Sequence, residues 1–147
     1  MNPLIRPLIL IFAATAALSA CGDSLDRADA SNAKAVAMGE KLYIAKCAEC
    51  HGKNLEGQPA WRSAQEDGTL PAPPHDDTGH TWHHDDQLLF KYTKLGGAGV
   101  APPSFKSAMP AFGADLSDSE IWAVLSYIKS RWSSKAQARQ SQLNKQP

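Results

Sequence analysis

Cys47, Cys50 and His51 stand in the order C-x-x-C-H within "KCAECHGKNL". Cysteines at i and i+3 of a helix share a face, and a histidine at i+4 from the first projects from that same face. A pair of this kind serves one of three chemistries. A redox disulfide sits in a βαβ context, and no strand-like alternation occurs anywhere in the 147 residues. A structural zinc site needs two further ligands; His75, His80, His83 and His84 are available, but the adjacent His51 is then unexplained. Covalent haem attachment uses all three residues. Two sulfurs on one helix face reach two vinyl groups along one porphyrin edge, and the imidazole faces the iron. The spacing therefore predicts one haem c, bonded through Cys47 and Cys50 with His51 as an axial ligand.

A sixth ligand to the iron is sought among the methionines. Met38 precedes the attachment site on the same helix, and Met1 falls in the leader. Met109, 58 positions after His51, remains, with Pro110 fixing the chain beside it and Phe112 placed to shield the iron. The four other histidines are its rivals. Histidine with thioether ligation fills both axial positions and raises the potential relative to two imidazoles, which favours an electron carrier over a haem enzyme.

The rest of the chain is read around this centre. Residues 1–20 hold an apolar, uncharged run, Leu8 to Ala20, after a weakly basic start, too short to span a bilayer easily. They read as a secretory signal. Leu18 is bulky for an ordinary cleavage site, whereas "LSAC" resembles the bacterial lipoprotein box, making Cys21 the candidate for acylation. The third, odd cysteine agrees, since a free thiol outside the cytosol is a liability. Cleavage near Ser19 to a soluble periplasmic protein is the alternative. Residues 21–33, small and polar, read as lipid anchor and flexible linker.

Residues 34–132 form the expected domain. A first helix starts near Lys34, with Val36, Glu40, Tyr43 and Cys47 on one stripe and Gly39 in its middle. Glycines and prolines interrupt residues 52–84, a loop long enough to wrap around something. A short helix, Asp85 to Leu95, ends at Gly96, and a second loop carries Met109. Ser117 and Glu120 make a capping box for a last helix whose stripe is Ile121, Val124, Leu125, Ile128 and Trp132. Residues 133–147, basic and without an apolar stripe, read as a disordered tail. The fold class is all-α.

These features are similar to the class I c-type cytochromes, in their bacterial single-haem form. The resemblance covers roughly residues 34–132 and rests on "GEKLY" before "CAECHG", "MPAFG" after a proline-rich loop, and "IWAVLSYIKSRW". It implies an all-α fold in which the first and last helices cross, Gly39 and Tyr43 meeting Val124 and Tyr127. It implies that Pro59, in "GQPAW", offers the carbonyl that accepts the axial histidine's ring N–H, and that Trp82 bonds a haem propionate. It also implies a partly exposed haem edge near Cys47 and Cys50.

Charge excludes one class of partner. Fifteen Lys and Arg balance fifteen Asp and Glu over the chain, unlike a nucleic-acid binder with its basic face. Within 34–132 the count is ten against twelve, so no strong basic ring steers a partner. The expected protein is a monomeric, non-enzymatic carrier held on the periplasmic side of a bacterial membrane through Cys21, exchanging single electrons with redox proteins. Two other readings stay open: a haem sensor or enzyme with a labile Met109, and a copper-binding lipoprotein using "PPHDDTGHTWHHDD".

Overall fold

The computed structural model describes residues 24–145, which are helical with no strand among them. The helices are α1 (Ala33–Lys46), α2 (Ala48–His51), α3 (Asp86–Leu95), α4 (Gly97–Val100), α5 (Asp118–Ser130) and α6 (Ser134–Leu143), with a 3-10 turn at Thr81–His83. The expected signal and Cys21 lie outside the described residues.

The core is the crossing of α1 and α5. Asn32 starts α1 by accepting the N–H groups of Lys34 and Ala35, each at 3.1 Å, which satisfies donors the first turn leaves unpaired. Ala35, Gly39 and Tyr43 form its buried face. Glu40, expected on that stripe, is exposed and Val36 is half-buried; the buried face is rotated by one residue, because small Ala35 and Gly39 let the helices approach. A Cβ on Gly39 would strike the carbonyl oxygen of Ala123 and lie 3.0 Å from Tyr127 Cβ. The roughly 1 kcal/mol helix penalty of glycine is therefore offset by backbone-to-backbone packing. Tyr43, with no exposure, sets its ring against Tyr127 with centroids 5.4 Å apart.

The start of α5 is the capping box read from sequence. Ser117 N–H donates to Glu120 Oε2 at 2.8 Å, and Glu120 N–H donates back to Ser117 Oγ at 3.3 Å. Beyond the cap, every residue from Ile121 to Ile128 is buried. A single stripe cannot explain that, and three neighbours do. One is α1. The second is α3, whose Phe90 stacks on Trp122 with centroids 4.3 Å apart. The third is the segment before α1. Leu25 N–H donates to Ser119 Oγ and Asp29 N–H to Ser126 Oγ, both at 2.9 Å, and Ala28 is buried. From Leu25 onward, the stretch expected as flexible linker is instead a strap fastened along α5.

The tail is also corrected. Residues 134–143 are helical, started by Ser133, whose Oγ accepts Ala136 N–H at 3.3 Å. The face that docks α6 is small Ala136 and, beyond it, polar residues, which is why an apolar stripe was missing. Gln140, fully buried, donates to Asp86 Oδ1 at 2.6 Å and to the His84 carbonyl at 3.2 Å. Asn144 donates to Asp86 Oδ2 at 2.9 Å, and its own carbonyl accepts Asp86 N–H at 2.8 Å. Lys129, paired with the same carboxylate at 2.8 Å, completes the hub.

Candidate haem-binding site

The attachment segment begins where α1 stops. Cys47 N–H still donates to Tyr43 O at 2.8 Å, but Cys47 turns to φ −116° before α2 opens. Cys47 is half-buried and Cys50 exposed, and both are free thiols. Burial, with Cys50 beside it, pushes the Cys47 thiol up to about 11. The buried Tyr43 hydroxyl donates to the carbonyl of Gly52 at 3.0 Å and toward that of His51 at 3.3 Å, locking the end of the segment to the helix crossing.

His51 is 7% exposed. Its Nδ1 lies 2.8 Å from the carbonyl oxygen of Pro73; because a carbonyl only accepts, Nδ1 carries the proton and Nε2 keeps its lone pair. Burial lowers the ring's pKa, partly opposed by that bond, so the imidazole stays neutral as a metal ligand must. The bond fixes tautomer and basicity. It belongs to Pro73 and not to Pro59, which is exposed. Pro59 is followed by Ala60 at φ +53° in a surface turn. The Pro73–Pro74 segment, by contrast, is wedged between two glycines. A Cβ on Gly57 would lie 2.6 Å from Pro73 C, and one on Gly79 would strike the Pro74 carbonyl oxygen. The signal for this was present as Gly57 and Gly79 flanking "PAPP", but only the three-dimensional contact gives it meaning.

Met109 is half-buried on the second loop. Its carbonyl accepts Gly97 N–H at 3.0 Å, and its N–H donates to Ser107 Oγ at 3.2 Å. Further along, Phe112 N–H donates to Thr93 O and Gly113 N–H to Lys94 O, both at 3.0 Å. The loop can lie this close because Gly96, at φ +73°, and Gly97 have no side chains; a Cβ on Gly96 would sit 2.8 Å from Ala111 N. Sequence reading took Gly96 only as a helix stop and missed the pair as a seat for the methionine loop.

The histidine-rich loop divides its rings among aromatic partners. His80 stacks on Trp61 (5.3 Å, 9°), His84 meets His80 edge-on, and His83 stacks on Trp82 (3.8 Å). His75 stacks on His51 (4.0 Å, 22°) and bonds Thr81 Oγ1 through Nδ1 at 2.8 Å. Burial, and then His51 and His80 nearby, hold His75 well below its ordinary pKa. Among the described residues no three His, Cys, Asp or Glu side chains converge as a metal site. Trp82 donates its indole N–H to the Asp77 carbonyl at 3.3 Å.

The donor set tests whether a haem suits this place. Two thiols unpaired with each other stand beside a neutral imidazole with one nitrogen committed to a carbonyl and the other open. That combination fits a covalently attached haem.

Comparison with known proteins agrees. The sequence profile of the cytochrome c family, "Cytochrome c", matches residues 36–132. A protein described as cytochrome c6 from Diacronema lutheri is 29% identical over 100 residues, covering 65% of this chain and 95% of its own. No solved structure matches. The chain belongs to the cytochrome c family. It is an electron carrier with one covalently bound haem c, and the crossing of α1 on α5 is the fold expected of that class.

Proposed function

We propose that this cytochrome is a lipid-anchored periplasmic carrier, with residues 1–20 a signal and Cys21 acylated, moving single electrons between membrane-associated redox proteins. Cys47 and Cys50 would hold the haem, and His51 and Met109 would ligate its iron. When bound, the haem supplies an iron that cycles between ferric and ferrous states. Trp82 supplies a propionate contact: its bond to Asp77 is longer than the usual 2.9–3.0 Å, so a carboxylate competes well for the N–H. Electrons enter and leave beside Cys47 and Cys50. No described helix is long and apolar enough to cross a membrane, so membrane attachment in this reading falls to the lipid. A tether of that kind raises the effective concentration of membrane partners, which compensates for the weak charge steering.

The observation that carries the assignment of Cys47, Cys50 and His51 is the His51 ring, its Nδ1 committed to Pro73, beside two unpaired thiols. The test is the purified membrane-bound protein. Its mass should exceed that of the chain by one haem, and ferric protein should show the sulfur-to-iron charge-transfer absorption. Met109→Ala should remove that absorption and lower the potential; an unchanged spectrum refutes Met109. Rapid carbon monoxide binding by the reduced wild type at neutral pH would instead support a sensor. Cys21→Ala should leave the haem in place and move the protein to the soluble fraction; retention on membranes counts against acylation.

A further inference from the structure

The bond from His51 Nδ1 to Pro73 holds one edge of the ring. A hydrogen bond tolerates some 30° of misalignment with little loss, so that bond alone leaves the ring free to rock about Cβ–Cγ. What opposes rocking is a flat surface against the ring's face, and His75 provides it, with centroids 4.0 Å apart and planes within 22°.

His75 is itself held from three directions. Its N–H donates to the Leu55 carbonyl at 2.8 Å. Its carbonyl accepts Trp132 Nε1 at 2.8 Å. Thr81 Oγ1 directs its proton toward the Pro74 carbonyl at 3.4 Å and accepts from the His75 ring at 2.8 Å. Thr81 is buried, and the Tyr43 ring meets His75 edge-on at 6.2 Å. An aliphatic side chain of similar volume would fill the space but present neither a plane nor an atom for Thr81 to hold.

Resting on the haem assignment above, we propose that His75 is a positioning residue for the axial ligand. Its ring, stacked on His51 and tethered to Thr81, sets the rotation of the His51 imidazole about Cβ–Cγ. Axial ring orientation governs the in-plane anisotropy of a low-spin ferric centre. The consequence is therefore electronic, and visible without any measurement of electron transfer.

The experiment compares haem-loaded wild type with His75→Leu, His75→Phe and Thr81→Val. Each is read by electron paramagnetic resonance, by the spread of haem-methyl proton shifts in the ferric protein, and by midpoint potential. Stacking predicts that His75→Leu moves the g-values and methyl shifts. His75→Phe keeps a flat ring but loses the bond to Thr81, so it shifts by less than His75→Leu, about as far as Thr81→Val. Thr81→Val shifts in the same direction as His75→Leu, by less. Wild-type spectra in His75→Leu overturn the proposal, as does an equal shift in the Leu and Phe variants, which would assign the effect to lost polarity. Should His75→Leu not fold, unchanged spectra in Thr81→Val overturn it. A wild type without a low-spin haem would defeat the haem assignment itself, an outcome distinct from all of these.

Discussion

Asp86 is the residue on which the clasp between α6 and the histidine loop depends, and its removal has a calculable effect. Its carboxylate accepts from Lys129 at 2.9 and 2.8 Å, from Gln140 at 2.6 Å and from Asn144 at 2.9 Å. The Asp86 and Lys129 side chains are only 14% and 12% exposed. Breaking a buried pair by deleting one partner costs about 3–5 kcal/mol, because the remaining charge stays desolvated. Residual exposure lets Lys129 recover some water, so Asp86→Ala should cost about 2–4 kcal/mol. For a domain of this size about 3 kcal/mol corresponds to a Tm loss on the order of 10 °C. The assay is urea unfolding of the haem-loaded protein, where the midpoint should fall with the slope unchanged. Lys129→Met alone should also destabilise, through the unpaired carboxylate. The double variant should lose less than the sum of the two, with a coupling of at least ~1 kcal/mol. A loss under ~1 kcal/mol for Asp86→Ala, or strict additivity in the cycle, would refute the account of the hub.

Other substitutions probe separate contacts. Gly39→Val should destabilise by at least ~1–3 kcal/mol, since overpacking at the Ala123 carbonyl outweighs any gain in helix propensity; thermal melting checks it, and a stabilised variant would refute the close crossing. Trp132→Phe removes the donor to the His75 carbonyl and should cost about 1–3 kcal/mol, measured by urea unfolding. Gly97→Val would place side-chain atoms on Ser107 and should displace the methionine loop, weakening the charge-transfer absorption at ambient temperature. Pro59→Ala, by contrast, should leave spectrum and stability within about 0.5 kcal/mol of wild type, as for most surface changes.

What was legible in the sequence followed from local rules. C-x-x-C-H, the Ser117–Glu120 box and Gly96 are motifs whose physics is complete within a few residues, and the helices they mark are where expected. What was not legible depended on distant partners. Pro59 and Pro73 are alike in one dimension; only the wedging of "PP" between Gly57 and Gly79 decides which carbonyl reaches His51. The helix at 134–143 was hidden because it docks through small Ala136, Gln140 and its C-cap Asn144 rather than through leucine. Polar docking is invisible to apolar periodicity until Asp86, 54 residues away from Gln140, is known to be the acceptor. The strap at 25–29 was missed for a related reason: its backbone N–H groups bond the Ser119 and Ser126 hydroxyls, and serines on α5 look like surface residues in a linear reading.

The same contacts bear on why a carrier would be built this way. Electron transfer is fast when little moves between oxidation states, so packing within the protein should hold both the segment that bonds the His51 ring and the loop that carries Met109. Here each is seated through glycines: the Pro73 segment between Gly57 and Gly79, the Met109 loop with its backbone against Gly96 and the Ser107 side chain against Gly97. Contacts of this kind are short-ranged and stiff. His51 is restrained at its edge by Pro73 and on its face by His75. His75 in turn is fixed through Trp132 to the end of α5, the helix on which the whole core is packed. The α1–α5 crossing is thus linked to the His51 imidazole through Trp132 and His75, and the polar clasp of α6 closes over the loop that carries His75.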